Sequence, residues 1–156
     1  MVAVVSVISA GCNLPFGDPA PIPDLGVRLS SNGAVEAAFR PCSIGPLSVA
    51  EISLFRFGGK VGRSNDQLLW RVRAEPPVIV EDFVLAADLD GFRTETNLAS
   101  LPPKADLILE LKAGRYGYTT SVGFSLAELK TNDYLVAGAK KGYVSPEKFN
   151  QRSHCR

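Results

Sequence analysis

Histidine is almost missing from this chain. His154 is the only one, and it stands two residues before the last position. A histidine general base or an imidazole-built metal site would therefore rest on the most easily frayed part of a chain, which removes both from expectation. Cysteine is scarce as well: Cys12, Cys42 and Cys155 are too far apart for any C-x-x-C redox or zinc spacing. Charge of either sign is not in excess. A formal net charge of +1 argues against nucleic acid, which selects strongly basic faces, and equally against an acidic solvating tail. The apolar stretch Val2–Ala10 is too short for a helical membrane span, which needs about 20 residues. The Gly-x-Ser-x-Gly elbow of serine hydrolases is absent, and Ser-His-Asp chemistry would have to recruit His154. No two acids are singled out by spacing as a glycosidase pair. These absences lead to the expectation of a protein that is not an enzyme and carries no cofactor or metal.

What remains is ordinary globular material. The chain has 156 residues, 46% of them hydrophobic and 21% charged, which suits one domain with a sizeable core and excludes wholesale disorder. From residue 25 onward the pattern is one of short strands between turn residues. Val27 and Leu29 alternate with polar neighbours, Ser31-Asn32-Gly33 supplies a hairpin turn, and Val35, Ala37 and Phe39 resume the alternation. In Val49–Phe57 the parity breaks, since Ile52 and Leu54 oppose Phe55 and Phe57. Such a strand is either apolar on both sides or carries a bulge. Leu68, Trp70 and Val72 face away from Arg71 and Arg73. Val78–Ala86 reads as one further strand, followed by the turn Asp88-Leu89-Asp90-Gly91. Leu107, Leu109 and Leu111 then alternate with Ile108, Glu110 and Lys112, and Ala113-Gly114 turns into Tyr116, Tyr118, Thr120, Val122 and Phe124. Tyr134–Ala139 makes an eighth strand. Two short helical turns are expected, at Ser125–Glu128 from its capping-box spacing and at Ser145-Pro146-Glu147 from its cap and following proline. The fold class expected is all-β, an antiparallel sandwich or barrel of about seven or eight strands.

Three charged features are candidate sites. Gly58-Gly59-Lys60-Val61-Gly62-Arg63-Ser64 has glycines beside two cations but lacks the P-loop spacing, and reads as a mobile basic loop. Asp88 and Asp90, near Glu81 and Asp82, supply too few oxygens for a hard cation that wants about 6–8, and read as a turn. Residues 75–95 are acidic and residues 130–156 basic. The basic segment could touch anionic lipid, but both read more simply as solvated faces.

The opening carries the remaining information. Val2–Ala10 has the length of a signal-peptide apolar region, and Ser9-Ala10-Gly11-Cys12 places small residues before a cysteine. This resembles the lipobox of bacterial lipoproteins, with Ser9 standing where that box has leucine and with no basic residue before Val2. A start upstream of Met1 would supply the missing basic segment. The resemblance implies that Cys12 is lipidated. Residues 12–24, with Pro15, Pro19, Pro21 and Pro23, then form an extended spacer between the leader, residues 1–11, and a domain over residues 25–156. If Cys12 carries lipid, Cys42 and Cys155 are left as the only possible pair, and an oxidising compartment would favour their bridging. The leader, spacer and small β domain together are similar to small exported bacterial lipoproteins with immunoglobulin-like sandwiches. That similarity implies a disulfide-bearing envelope protein, anchored to the membrane and binding a protein or small-molecule ligand or acting structurally. The alternative is an intracellular protein or small enzyme in which residues 2–8 form a core strand.

Overall fold

The computed structural model describes residues 25–40, 47–59, 65–114, 117–137 and 141–151. Among them the chain forms ten strands in two antiparallel five-stranded sheets, with one 3₁₀ turn and one short helix. The strands are β1 (Leu25–Leu29), β2 (Val35–Phe39), β3 (Ser48–Arg56), β4 (Gln67–Ile79), β5 (Asp82–Val84), β6 (Arg93–Thr96), β7 (Asp106–Ala113), β8 (Tyr118–Ser125), β9 (Tyr134–Val136) and β10 (Gly142–Val144). The first sheet runs β10-β9-β1-β2-β5 and the second β6-β4-β3-β7-β8.

One core cluster draws on both sheets. Leu25, Val27, Val35, Ala37 and Phe39 come from the first, and Val49, Ile52, Leu54, Trp70, Leu107, Leu109, Leu111 and Val122 from the second. Alternation explains most of this. In β7, Leu107, Leu109 and Leu111 are buried at period two, and the register Leu109↔Val122 and Leu107↔Phe124 sets them beside the inward residues of β8. β3 obeys a different rule. Its pairings shift between Val49 and Glu51: against β7 Ala50 is the extra residue of a bulge, whereas against β4 the partner jumps from Val78 to Arg73 and the excess lies on β4. The bulge changes parity, which lets Val49, Ile52 and Leu54 all turn inward while Glu51 and Ser53 turn out.

The β1–β2 hairpin does turn at Ser31-Asn32-Gly33, through a longer loop than an Asn-Gly pair needs. The Gly33 N–H donates to Ser30 O at 3.0 Å, the Ser30 N–H donates to Ala34 O at 2.8 Å, and Gly33 alone takes a positive φ of 83°. A second, smaller cluster of Ala38, Tyr134, Val136 and Phe149 lies at the other side of the first sheet. There Gly26 is required by close approach, because a Cβ would stand 3.0 Å from the Tyr134 Cβ and 3.1 Å from the Phe149 ring.

Three expectations are corrected. The strand count is ten, above the seven or eight expected. Val78–Ala86 is not one strand: Val78 and Ile79 end β4 in the second sheet, whereas Asp82–Val84 form β5 in the first, so the chain changes sheet between them. Two strands escaped notice, β6 because Arg-Thr-Glu-Thr has no apolar residue to reveal it, and β10 because three residues are too few for a pattern. Both helical turns are present, as the 3₁₀ turn Leu126–Glu128 and as α1 (Pro146–Asn150) with Ser145 as its cap.

Candidate functional site

The outward face of the second sheet carries a charge cluster built by register. β3 lies at the centre of that sheet, and its pairings set Glu51 beside Arg73 of β4 and Lys112 of β7. Ser53, two residues along the same face, pairs with Arg71 and Glu110. The Glu51 side chain is only 8% exposed. Its carboxylate accepts from Arg73 at 2.7 Å, from Lys112 Nζ at 2.9 Å and from Ser53 Oγ at 3.2 Å, with Arg71 Nε at 3.5 Å. Arg73 reaches Glu95 of β6 at 3.1 Å with its other arm. A branched network of charge thus spans four of the five strands.

Burial pushes the Glu51 carboxyl up. The hydrogen bonds from Arg73 and Lys112 and the charges of Arg71 and Lys112 outweigh it, and bring the pKa from 4.5 down to about 2. Held as an anion at neutral pH, Glu51 takes up no proton there, so its chemistry is that of a fixed counter-charge. Around it stand Arg71, Arg73 and Lys112, with Arg93 3.5 Å from Glu95. Beside this cluster a cleft of about 470 Å³ is lined by Arg73, Glu75, Gly91, Phe92 and Arg93. Its two arginines are already paired with Glu51 and Glu95, and with Glu75 and the Phe92 ring beside them the cleft suits a planar polar group held by contact.

Sequence reasoning placed Arg71 and Arg73 on a face opposite the core but did not single out Glu51. The signal was present: a lone acid in Ser48–Arg56, and opposite charges at alternate positions of the strands that follow it.

None of the sequence candidates belongs to this cluster as described. Cys12, Cys42, Cys155 and His154 lie outside the described residues, as do Lys60 to Ser64 of the glycine-rich loop. Asp82 is held by Arg40 through two hydrogen bonds, at 2.7 and 3.0 Å. Asp88 and Asp90 sit in a turn where Gly91 has a φ of 79° and the Phe92 N–H donates to Leu89 O at 3.0 Å. Among the described residues no three His, Cys, Asp or Glu side chains are grouped to hold a metal, and no helix is long and apolar enough to cross a membrane. No protein family, no curated protein and no solved structure matches this chain.

Proposed function

We propose that the chain is a non-enzymatic envelope lipoprotein, tethered through Cys12, whose β domain is a sandwich of immunoglobulin-like type that presents loops and an outer sheet face for binding. The observation that carries this reading is the order of the sequence itself: an apolar leader, small residues before Cys12 and four prolines stand ahead of a chain that alternates as strands do. On this reading the leader and spacer act as an anchor for the β domain. Multiple acyl chains of the kind found on bacterial lipoproteins hold a protein stably, whereas one holds it only marginally. The bridge between Cys42 and Cys155 belongs to the same reading, as does the binding of a ligand without proton transfer by Glu51. Sandwiches host unrelated functions, so the ligand class follows from the site and not from the fold.

Cys12→Ser is expected to move the protein from the membrane fraction to the soluble fraction. The intact mass of the mature protein is expected to show a start at Cys12 with added lipid. An unmodified Cys12 with Met1 to Gly11 still attached would refute the anchor and favour the alternative, residues 2–8 as a core strand.

A further inference from the structure

The two sheets have four edges, and three of them are short. β10 and β5 have three residues each and β6 has four, with Asp82 on β5 and Arg93 and Glu95 on β6. Short strands and charge are the usual devices against edge-to-edge pairing. β8 has neither. Its eight residues, Tyr-Thr-Thr-Ser-Val-Gly-Phe-Ser, include no charge and no proline. It pairs with β7 over eight consecutive positions without a register shift, unlike the pairings of β3 with β4, β3 with β7 and β4 with β6. A straight, neutral edge of full length is left open to another strand among the described residues.

We propose that this edge pairs with the same edge of a second copy of the chain, antiparallel across a two-fold axis, to make a continuous ten-stranded sheet. Charge supports a second copy, because a two-fold sets like residues opposite one another, and a charged edge would repel itself where β8 does not. Geometry then restricts the register. Residues opposite each other in an antiparallel pair point to the same side, so the two numbers must sum to an even value if both cores are to lie on one side. Centred on Ser121, the pairing sets Thr119 opposite Gly123 and Tyr118 opposite Phe124.

That register joins two features the single chain leaves exposed. Tyr118, 41% exposed, stands at one end of β8. At the other end lies a groove of about 420 Å³, mostly apolar, with Phe57, Ile108, Phe124 and Ala137 in its wall and Asp106 and Lys141 as its charged members. Each Tyr118 then meets the groove of the other copy, so the interface is self-complementary, as a closed two-fold requires. Gly123 fits the same account. Among the described residues a Cβ there would meet nothing nearer than Leu107 O, at 3.8 Å. The packing of the described residues therefore does not explain the glycine, and a strand glycine often marks a place where another backbone approaches. This inference stands apart from the tether: a dimer can form on an anchored or a free domain.

The test is the molar mass of the full chain by sedimentation over a wide concentration range. The expected result is a dimer that dissociates on dilution. Ser121→Lys, which sets two ammonium groups face to face on the axis, is expected to give a monomer with unchanged circular dichroism. Thr94→Lys on the β6 edge is expected to remain dimeric. Should Ser121→Lys fail to fold, Tyr118→Ser at the strand end is expected to weaken the dimer by roughly tenfold or more. A wild-type monomer at all concentrations overturns the proposal, and so does a folded Ser121→Lys dimer, a Thr94→Lys monomer, or Tyr118→Ser with unchanged dissociation. A monomer whose β8 amides stay protected at every dilution would place another segment of the same chain on this edge, and equally overturns it.

Discussion

Glu51 shows what one buried charge does when the sheet supplies its partners. A carboxylate on an inner strand of an isolated apolar sheet would be costly, and burial alone raises its pKa. Here Arg73, Lys112 and Arg71 reverse the shift, and the folded pKa of about 2 lies below the ordinary 4.5. Linkage fixes the sign. A group whose pKa is depressed by folding contributes its full stability above about pH 4.5 and loses it as the pH falls through about 2. Glu51→Gln is therefore expected to lower the unfolding free energy by roughly 1–3 kcal/mol at pH 7, since three cations lose their shared counter-charge. The difference between the two proteins in urea titrations should then narrow as the pH falls from about 4.5 towards 2, where the wild-type side chain is becoming protonated. A difference that stays constant with pH would mean that shape, not charge, sets the effect.

Among the elements, α1 depends most on its context. Five residues are too few for a helix to hold itself in water. The sequence supplies its beginning, with Ser145 accepting from the Lys148 N–H at 3.4 Å and proline at the first position. Tertiary contact supplies its stability: Phe149 is fully buried, with its ring 4.8 Å from that of Tyr134. Phe149→Ala is expected to cost about 3–5 kcal/mol, against about 1 kcal/mol for Ser145→Ala, measured by chemical denaturation. If the cap variant proves as costly as the anchor variant, local structure carries the helix. The same division runs through the strands. The caps, the Gly33 turn and the leucine alternation of β7 were readable because each is set by residues near in sequence. β6 and β10 were not, because their backbone groups pair with strands already in place, β6 with β4 and β10 with β9.

At the scale of the molecule, the two sheets meet through one core, and the chain passes between them repeatedly. β2 leads to β3 and β4 in the second sheet, β5 returns to the first, and β6 goes back. These crossings make each half of the chain depend on the other, so unfolding should be a single cooperative transition. On the tethered reading the leader adds nothing to this body. A chain beginning at Ile22 is expected to keep the wild-type denaturation midpoint and its steepness, by near-ultraviolet circular dichroism against denaturant. A lower midpoint for the shortened chain would mean that residues 2–8 pack into the core.

By itself the sequence determined that this is a β-rich chain, where most of its strands and turns fall, and which side of β7 faces inward. Period-two alternation and turn chemistry act over a few residues and leave their mark in order along the chain. Only the tertiary structure decided how the strands divide between two sheets, where β3 bulges, and that Glu51 stands among Arg71, Arg73 and Lys112. Those facts depend on register between segments distant in sequence, and register is set by the packing of one core against both sheets at once.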